Sequence, residues 1–264
     1  MQKVSSLLFE LSSTDRLDIL MLVQKSPLKL SHISSKLNFT VQEASRNLAR
    51  LSEAQLVRKD ADGAFYLTSY GEETLFMLKG FSFLVNNRDY LLTHTASRLP
   101  KHLRASIGVL EGFEFVDDVM TVFHNAEKMI AKAEKYVWIM TNQVLASTIP
   151  FLLEEVERGG EFRLLMPKDY APSEEMRNLV TNPVFAKAAR NGKLDQRFIE
   201  SVDVFLGLSE KEVAALAFPT IDGKLDYTGF RAEGEEAVEY GKTLFSYYWS
   251  IGSSIIPDKL LGKK

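Results

Sequence analysis

The sequence predicts two parts of different class: a small α+β unit of helices closed by a hairpin, then an α/β domain with a mainly parallel central sheet. Three observations carry this. Helical apolar spacing dominates up to Leu51 and gives way to two short extended runs around Asp62-Gly63. From Val116 onward, short apolar runs such as YVWIM (Tyr136–Met140) and EFRLLM (Glu161–Met166) alternate with helical stretches. Charge is also divided. Between Gln24 and Lys59 stand seven Lys or Arg and two Glu, a local +5 in a chain of net −3, which leaves −8 for the remainder.

Residues 12–25 read as a helix, with Leu17, Leu20, Met21 and Val23 on its apolar side, Asp15 near its start and Pro27 ending it. Leu30–Leu37 reads as a second, short helix with Leu30, Ile33 and Leu37 at helical spacing and Asn38 as its breaker. The third begins within TVQEASRNLARLSEAQLVRK, Thr40 to Lys59. Thr40 followed by Glu43 is a capping box, in which each side chain satisfies a backbone N–H of the first turn. Val41, Ala44, Leu48 and Leu51 recur at spacings of 3, 4 and 3 and form the expected core face. Gln42, Ser45, Arg46 and Ala49 share another face, with Arg50 at its border. That face carries hydrogen-bonding side chains, a small residue and no acid, which suits a DNA groove.

The segment Leu56–Leu67 alternates around Asp62-Gly63, a strong hairpin signal. Three helices followed by a hairpin make the winged helix-turn-helix pattern, in which the third helix enters the major groove and the wing touches backbone phosphates. Arg58 and Lys59 then stand on the first wing strand. Residues 69–87 read as one long helix with Leu75, Met77, Leu78, Phe81 and Leu84 apolar, which pairs with its copy in a dimer or packs on its own domain. Tyr90–Gly112 reads as a connector with short helices. His94 and His102 lie there without a third ligand and read as surface or packing residues.

In the second part, helices are expected over 116–134, 143–158, 173–191 (interrupted near Asn182-Pro183) and 235–253. Strands are expected at 136–140, 161–166, 196–199, 202–206 and 213–218. The last helix is rich in aromatics, among them Tyr240, Phe245, Tyr248 and Trp249.

Several chemistries find no support. Cysteine is absent, which removes disulfides, thiolate metal sites and cysteine nucleophiles, and fits a cytoplasmic protein. No apolar run approaches the roughly 18–20 residues a membrane span needs, and the N-terminal segment lacks a secretory pattern. No G-x-x-x-x-G-K-[ST], G-x-G-x-x-G, G-x-S-x-G or H-E-x-x-H motif occurs. No cofactor and no metal are expected. Of the four histidines, His32, His94, His102 and His124, none lies in the α/β core after residue 124, so general-base catalysis by histidine is not expected there. Acidic clusters such as Glu154-Glu155-Glu157 and Glu233-Glu235-Glu236 read as solvated helix faces.

A small molecule bound by an open α/β sheet settles beyond the carboxyl ends of its strands. The residues leaving YVWIM are Thr141, Asn142 and Gln143, and those leaving EFRLLM are Pro167, Lys168, Asp169 and Tyr170. Asn142 and Gln143 offer donors and acceptors, and Tyr170 offers a stacking face; the competing reading is that they cap the helices that follow. Arg231, in IDGKLDYTGFR, is a further ligand candidate, although turn chemistry explains the glycines and aspartates around it.

The segments LFELSSTDRLDILMLV and KLSHISSKLNFTVQEASRNLARLSEAQLVRKDADGAFYLTSYGEETL resemble archaeal winged-helix transcriptional regulators. The segments YLLTHTASRLPKHLRASIGVLEG, YVWIMTNQ, FRLLMPKD and DYTGFRAEGEEAVEYGKTLFSYYW resemble the methanogenesis-regulatory middle domain fused to such proteins. The resemblance implies a homodimeric transcription factor whose C-terminal domain is similar to the phospholipase-D-like α/β fold and senses a ligand or mediates dimerisation. The H-x-K-x-x-x-x-D pattern of phospholipase D is absent, since no histidine has lysine two residues later. The expected organisation is a DNA-binding domain over 1–88, a connector over 89–115 and an effector-sensing or dimerisation domain over 116–258. Double-stranded DNA is the expected partner, read by Thr40, Gln42, Ser45, Arg46, Arg50, Arg58 and Lys59, with a small-molecule effector held by Asn142, Gln143, Tyr170 and Arg231. A phosphodiesterase or nuclease targeted by a winged helix is the alternative; it needs a histidine or carboxylate–metal constellation that the sequence does not display.

Overall fold

The computed structural model describes residues 2–144, 146–174, 177–178 and 182–255. It divides into units covering residues 1–81 and 82–264. The first unit begins with a helix that the spacing did not announce, α1 (Gln2–Leu11), followed by α2 (Thr14–Lys25). Strand β1 (Leu28–Lys29) leads into α3 (Leu30–Leu37), which ends at Asn38 with φ 57° and an N–H donated to the Ser34 carbonyl. Asparagine tolerates this left-handed conformation, which turns the chain toward the next helix. The capping box then starts α4 (Val41–Glu53): Glu43 N–H donates to Thr40 Oγ1 (3.2 Å) and Thr40 N–H to Glu43 Oε2 (2.9 Å).

Strands β2 (Val57–Lys59) and β3 (Ala64–Leu67) pair antiparallel, and β1 adds to the other side of β3, giving the order β1-β3-β2. The turn uses Gly63 at φ 84°, with its N–H donated to the Asp60 carbonyl and the Ala64 N–H to Asp60 Oδ1. This is a type of three-residue hairpin loop that wants glycine at the left-handed position. Helix α5 (Ser69–Asn86) follows.

Two expected core faces need correction. Helix α2 buries Ile19, Leu20 and Val23, while Met21 is exposed and Leu17 only partly covered. Helix α4 buries Ala44, Leu48 and Leu51, but Val41 is exposed and Asn47 takes a core position. Val41 is the first helical residue, and side chains tilt toward the helix N-terminus, so its side chain points off the end of the helix.

The second unit is built on seven strands among the described residues, in the order β4-β10-β9-β8-β5-β6-β7. These are β4 (Glu114–Val116), β5 (Tyr136–Met140), β6 (Glu161–Pro167), β7 (Leu194–Ile199), β8 (Phe205–Ser209), β9 (Glu212–Ala217) and β10 (Gly229–Glu233). Only the β5–β6 and β6–β7 pairs are parallel; the pairs β5–β8, β8–β9, β9–β10 and β10–β4 are antiparallel. The sheet is therefore mixed, not mainly parallel. An apolar strand buried on both faces looks the same in either direction, and the strand expected at 202–206 lies three residues later, where it forms a hairpin with β9 through Glu210-Lys211.

One face of this sheet is covered by α8 (Val119–Lys132), α9 (Ile149–Glu157) and α10 (Pro183–Arg190), and the other by the aromatic helix α11 (Glu235–Ile251). Parts of the helices expected over 143–158 and 173–191, namely 145, 175, 176 and 179–181, lie outside the described residues, as does 256–258 of the expected domain. The expected connector contains α6 (Arg88–Thr93), α7 (Lys101–Ala105) and a 3-10 helix (Ile107–Gly112), and buries Tyr90, Leu99, Leu103 and Leu110 in the core under α11. Tyr90 accepts the Phe218 N–H (2.9 Å), and His94, stacked on the Tyr90 ring at 3.9 Å, sits 2.9 Å from Asp226 Oδ2 through Nε2. His94 is thus a packed core residue. Among the described residues, no group of three or more His, Asp or Glu is placed to hold a metal, and no helix is long and apolar enough to cross a membrane.

Candidate nucleic-acid face and ligand cavity

Helix α4 presents Gln42, Ser45, Arg46 and Ala49 to solvent. This face follows from the burial of Ala44, Leu48 and Leu51 on the opposite side. Glu43 is committed to the capping box, and the backbone N–H and hydroxyl of Thr40 hold its carboxyl below the usual carboxylate range. Thr40 is therefore a helix cap. Arg46 makes no side-chain hydrogen bond or ion pair among the described residues, so its guanidinium remains available. Arg58 and Lys59 are exposed on β2, with Lys59 Nζ 5.6 Å from the centre of the Phe65 ring across the hairpin.

Arg50 departs from its expected role. Its Nε and Nη2 reach Glu10 Oε2 and Oε1 at 3.1 and 2.7 Å, and its guanidinium lies 5.2 Å from the Phe9 ring centre. Glu10 also pairs with Arg16 (3.1 Å), and Arg16 in turn donates to the Glu10 and Phe9 carbonyls at the end of α1. Arg50 is a clasp that ties α1 to α4. Nothing local in the sequence announces a partner forty positions away. The bidentate bond from Arg50 holds the Glu10 carboxyl below its ordinary 4.5. A folded-state value below the unfolded one contributes stability at neutral pH that is lost as the pH falls below about 4.5 toward the lowered value. Arg50→Ala is accordingly expected to lower the melting temperature of the first unit at pH 7, with the difference from wild type shrinking in acid; calorimetry across pH 3–7 checks this.

In the second unit, a cavity of about 640 Å³ opens between the sheet and the helices α8, α9 and α10. Period-two alternation places Phe162, Leu164 and Met166 of β6 on this face, and Thr141, Gln143 and Tyr170 line it beyond the carboxyl ends of β5 and β6. The crevice rule thus puts Gln143 and Tyr170 at the cavity. Tyr170 is buried, and burial raises its phenol above the ordinary value. Thr141 spans the Gln143 backbone, donating its hydroxyl to the Gln143 carbonyl at 2.7 Å and accepting the Gln143 N–H at 3.2 Å.

Asn142 and Arg231 do not join these residues on the wall. The Asn142 carboxamide oxygen accepts the Tyr227 hydroxyl, whose pKa burial pushes up to about 12. Tyr227 adopts φ 68°, held there between the Phe123 and Phe205 rings at 5.1 and 5.0 Å, and both of those rings line the cavity. Arg231 is engaged across the β10–β4 pair with Glu114 (Nε–Oε2 2.7 Å) and is no part of the cavity wall. The residues that sequence reading missed are the apolar walls, such as Ile130 and Phe185, because their helical spacing is that of any core face.

No family model matches the chain, and no curated protein sequence is similar enough to count as a relative. Among solved structures, the chain is similar to TrmBL2, an archaeal chromatin protein, at 12% identity and TM-score 0.42, over 92% of this chain and 94% of that one. It is also similar to Nuc, a phospholipase D family member from Salmonella typhimurium, at 10% identity and TM-score 0.33, over 48% of this chain and 86% of that one. An O-methyltransferase family protein from Burkholderia thailandensis matches at 14% identity and TM-score 0.28, over 75% of this chain and 61% of that one.

Proposed function

We propose that the protein is a sequence-specific, DNA-binding transcriptional regulator of the winged-helix type and not an enzyme. It acts in the cytoplasm as a homodimer whose second unit binds a small-molecule effector. The exposed face of α4 carries the reading. Gln42, Ser45 and Arg46 stand free on a helix whose buried side anchors it, and its first-turn acid is withdrawn into a cap. Helix α4 enters the major groove, where an arginine bidentate to guanine is the commonest specific contact. Arg58 and Lys59, on the hairpin beside it, hold the phosphate backbone.

Fluorescence anisotropy of the full chain with a labelled duplex, titrated at several salt concentrations, tests the assignment. Affinity falls linearly on a log–log plot, and Lys59→Ala weakens every sequence alike and flattens the slope by about one. Binding without salt dependence, or a Lys59→Ala slope like that of wild type, contradicts it.

The dimer uses α5, on which Tyr70, Met77 and Phe81 are exposed along one face at spacings of seven and four. Phe81→Glu places a charge on that face and is expected to convert the dimer to monomer in analytical ultracentrifugation. A wild-type chain that sediments as a monomer at micromolar concentration removes this part of the proposal.

A further inference from the structure

We infer that the cavity of the second unit is a site for a single-chain amphiphile with a carboxylate head, a molecule of fatty-acid chemistry. The inference deepens the effector role proposed above and rests on it for its regulatory meaning; the binding itself is independent of DNA.

Small side chains keep this space open. Protein interiors are close-packed, and side chains normally fill the gap between a sheet and its helices. Here the wall includes Ala126 on α8, Ala186 and Ala189 on α10, and Gly207 on β8, small residues at positions facing the space. A Cβ added at Gly207 would meet only Met129 Cε at 3.8 Å, an ordinary contact, so the backbone there does not demand glycine. The resulting volume of about 640 Å³ lies within the range of small-molecule sites. Its floor of Phe162, Leu164 and Phe198, under Ile130 and Phe185, offers water few hydrogen bonds.

Two groups of polar residues stand on the wall: Asp195 and Gln196, in register with Arg163 and Leu164 of β6, and Thr141, Gln143 and Tyr170 beyond the strand ends. The amino-terminal half of β6 presents Phe162 and Leu164, whereas Thr141, Gln143 and the Tyr170 ring follow the carboxyl ends of β5 and β6. Arg177, in the segment that leaves β6, is the cation among the described wall residues. Asp195, the wall's acid, pairs in register with Arg163 near the start of β6. The carboxylate therefore goes to Arg177, away from Asp195, and the hydrocarbon lies along Phe162, Leu164 and Phe198. A saccharide fits poorly, because most of the wall cannot satisfy its hydroxyls.

Isothermal titration of the full chain with hexanoate, octanoate, decanoate and dodecanoate, each below its micelle concentration and without DNA, tests the inference. Affinity is expected to rise about threefold to fourfold per added methylene, with dodecanol weaker than dodecanoate. Arg177→Gln is expected to cost dodecanoate about tenfold and to leave dodecanol unchanged. Ala186→Trp, which fills the space, is expected to abolish both; if that variant does not fold, the acid-against-alcohol comparison in Arg177→Gln decides. Affinity independent of chain length, equal loss of acid and alcohol in Arg177→Gln, or tighter binding of sucrose than of dodecanoate overturns the inference. The anisotropy assay run in parallel separates the two readings. Dodecanoate bound without any DNA binding removes the regulator reading and leaves the site, and the reverse result removes the site alone.

Discussion

Arg46→Ala is expected to lower the affinity of the full chain for its preferred duplex by about 10- to 100-fold at fixed salt, the loss that follows from one bidentate base contact of roughly 1–3 kcal/mol. The loss should be sequence-dependent: the variant should discriminate less at one base position while non-specific affinity changes little. The melting temperature should not change, because Arg46 is exposed and holds no other side chain in place. This separates it from Arg50, four residues on, whose guanidinium is spent on Glu10. A parallel set of melting curves and anisotropy titrations for Arg46→Ala and Arg50→Ala checks both halves of the contrast. If Arg50→Ala loses base discrimination with no loss of stability, the roles assigned to the two arginines are reversed.

Gly71→Ala is expected to have the largest effect on the stability of the first unit. A Cβ at Gly71 would sit 2.2 Å from the Leu56 carbonyl oxygen and 3.1 Å from its carbonyl carbon, both backbone atoms that cannot swing aside. The approach is close because the first turn of α5 is laced to the start of β2. Thr68 N–H donates to the Leu56 carbonyl at 3.0 Å, the Thr68 hydroxyl donates to the Gln55 carbonyl at 2.6 Å, and Gly71 N–H donates to Thr68 Oγ1 at 3.0 Å. Relieving the clash means shifting the helix off the hairpin, at a cost on the order of 3 kcal/mol. For a unit of this size that lowers the melting temperature by roughly 10 °C or more. Thermal unfolding followed by circular dichroism reads this directly, and an unchanged transition would show that α5 does not pack on the hairpin as described.

The parts of the fold that were legible in the sequence are those encoded by neighbours. The capping box at Thr40 and Glu43, the left-handed Asn38 and the glycine of the Asp62-Gly63 turn are local signals, and each stands where expected. Helix α1 carries no cap or breaker of that kind, and its place depends on Glu10 meeting Arg16 and Arg50. Strand β10 was hidden because GFRAE follows a run of turn residues, and of its two neighbours only β9 is near in sequence, while β4 lies more than a hundred residues away. The direction of strands β8 and β9 was hidden for another reason. Both are buried along most of their length, and a continuous apolar run records burial but not orientation.

The candidate sites divide the same way. The exposed face of α4 follows from helical periodicity alone, so Gln42, Ser45 and Arg46 were legible. Gln143 and Tyr170 were legible from the rule that ligands settle beyond strand ends. Asn142 and Arg231 were not, because what decides their availability is a distant partner: Tyr227 for the first and Glu114 for the second. The cavity itself was invisible, since small residues such as Ala186 and Gly207 leave space only when the opposing wall is known.

Whether α4 and the hairpin read DNA sequence is decided by selection from a random duplex pool. The purified full chain is mixed with randomised double-stranded oligonucleotides at moderate salt, bound duplexes are recovered over several rounds, and the enriched sequences are read. The expected product is a two-fold symmetric motif with half-sites about one helical turn apart, containing a guanine whose enrichment disappears when selection is repeated with Arg46→Ala. A pool that stays random after repeated rounds, or the same motif recovered by Arg46→Ala, contradicts sequence reading by α4.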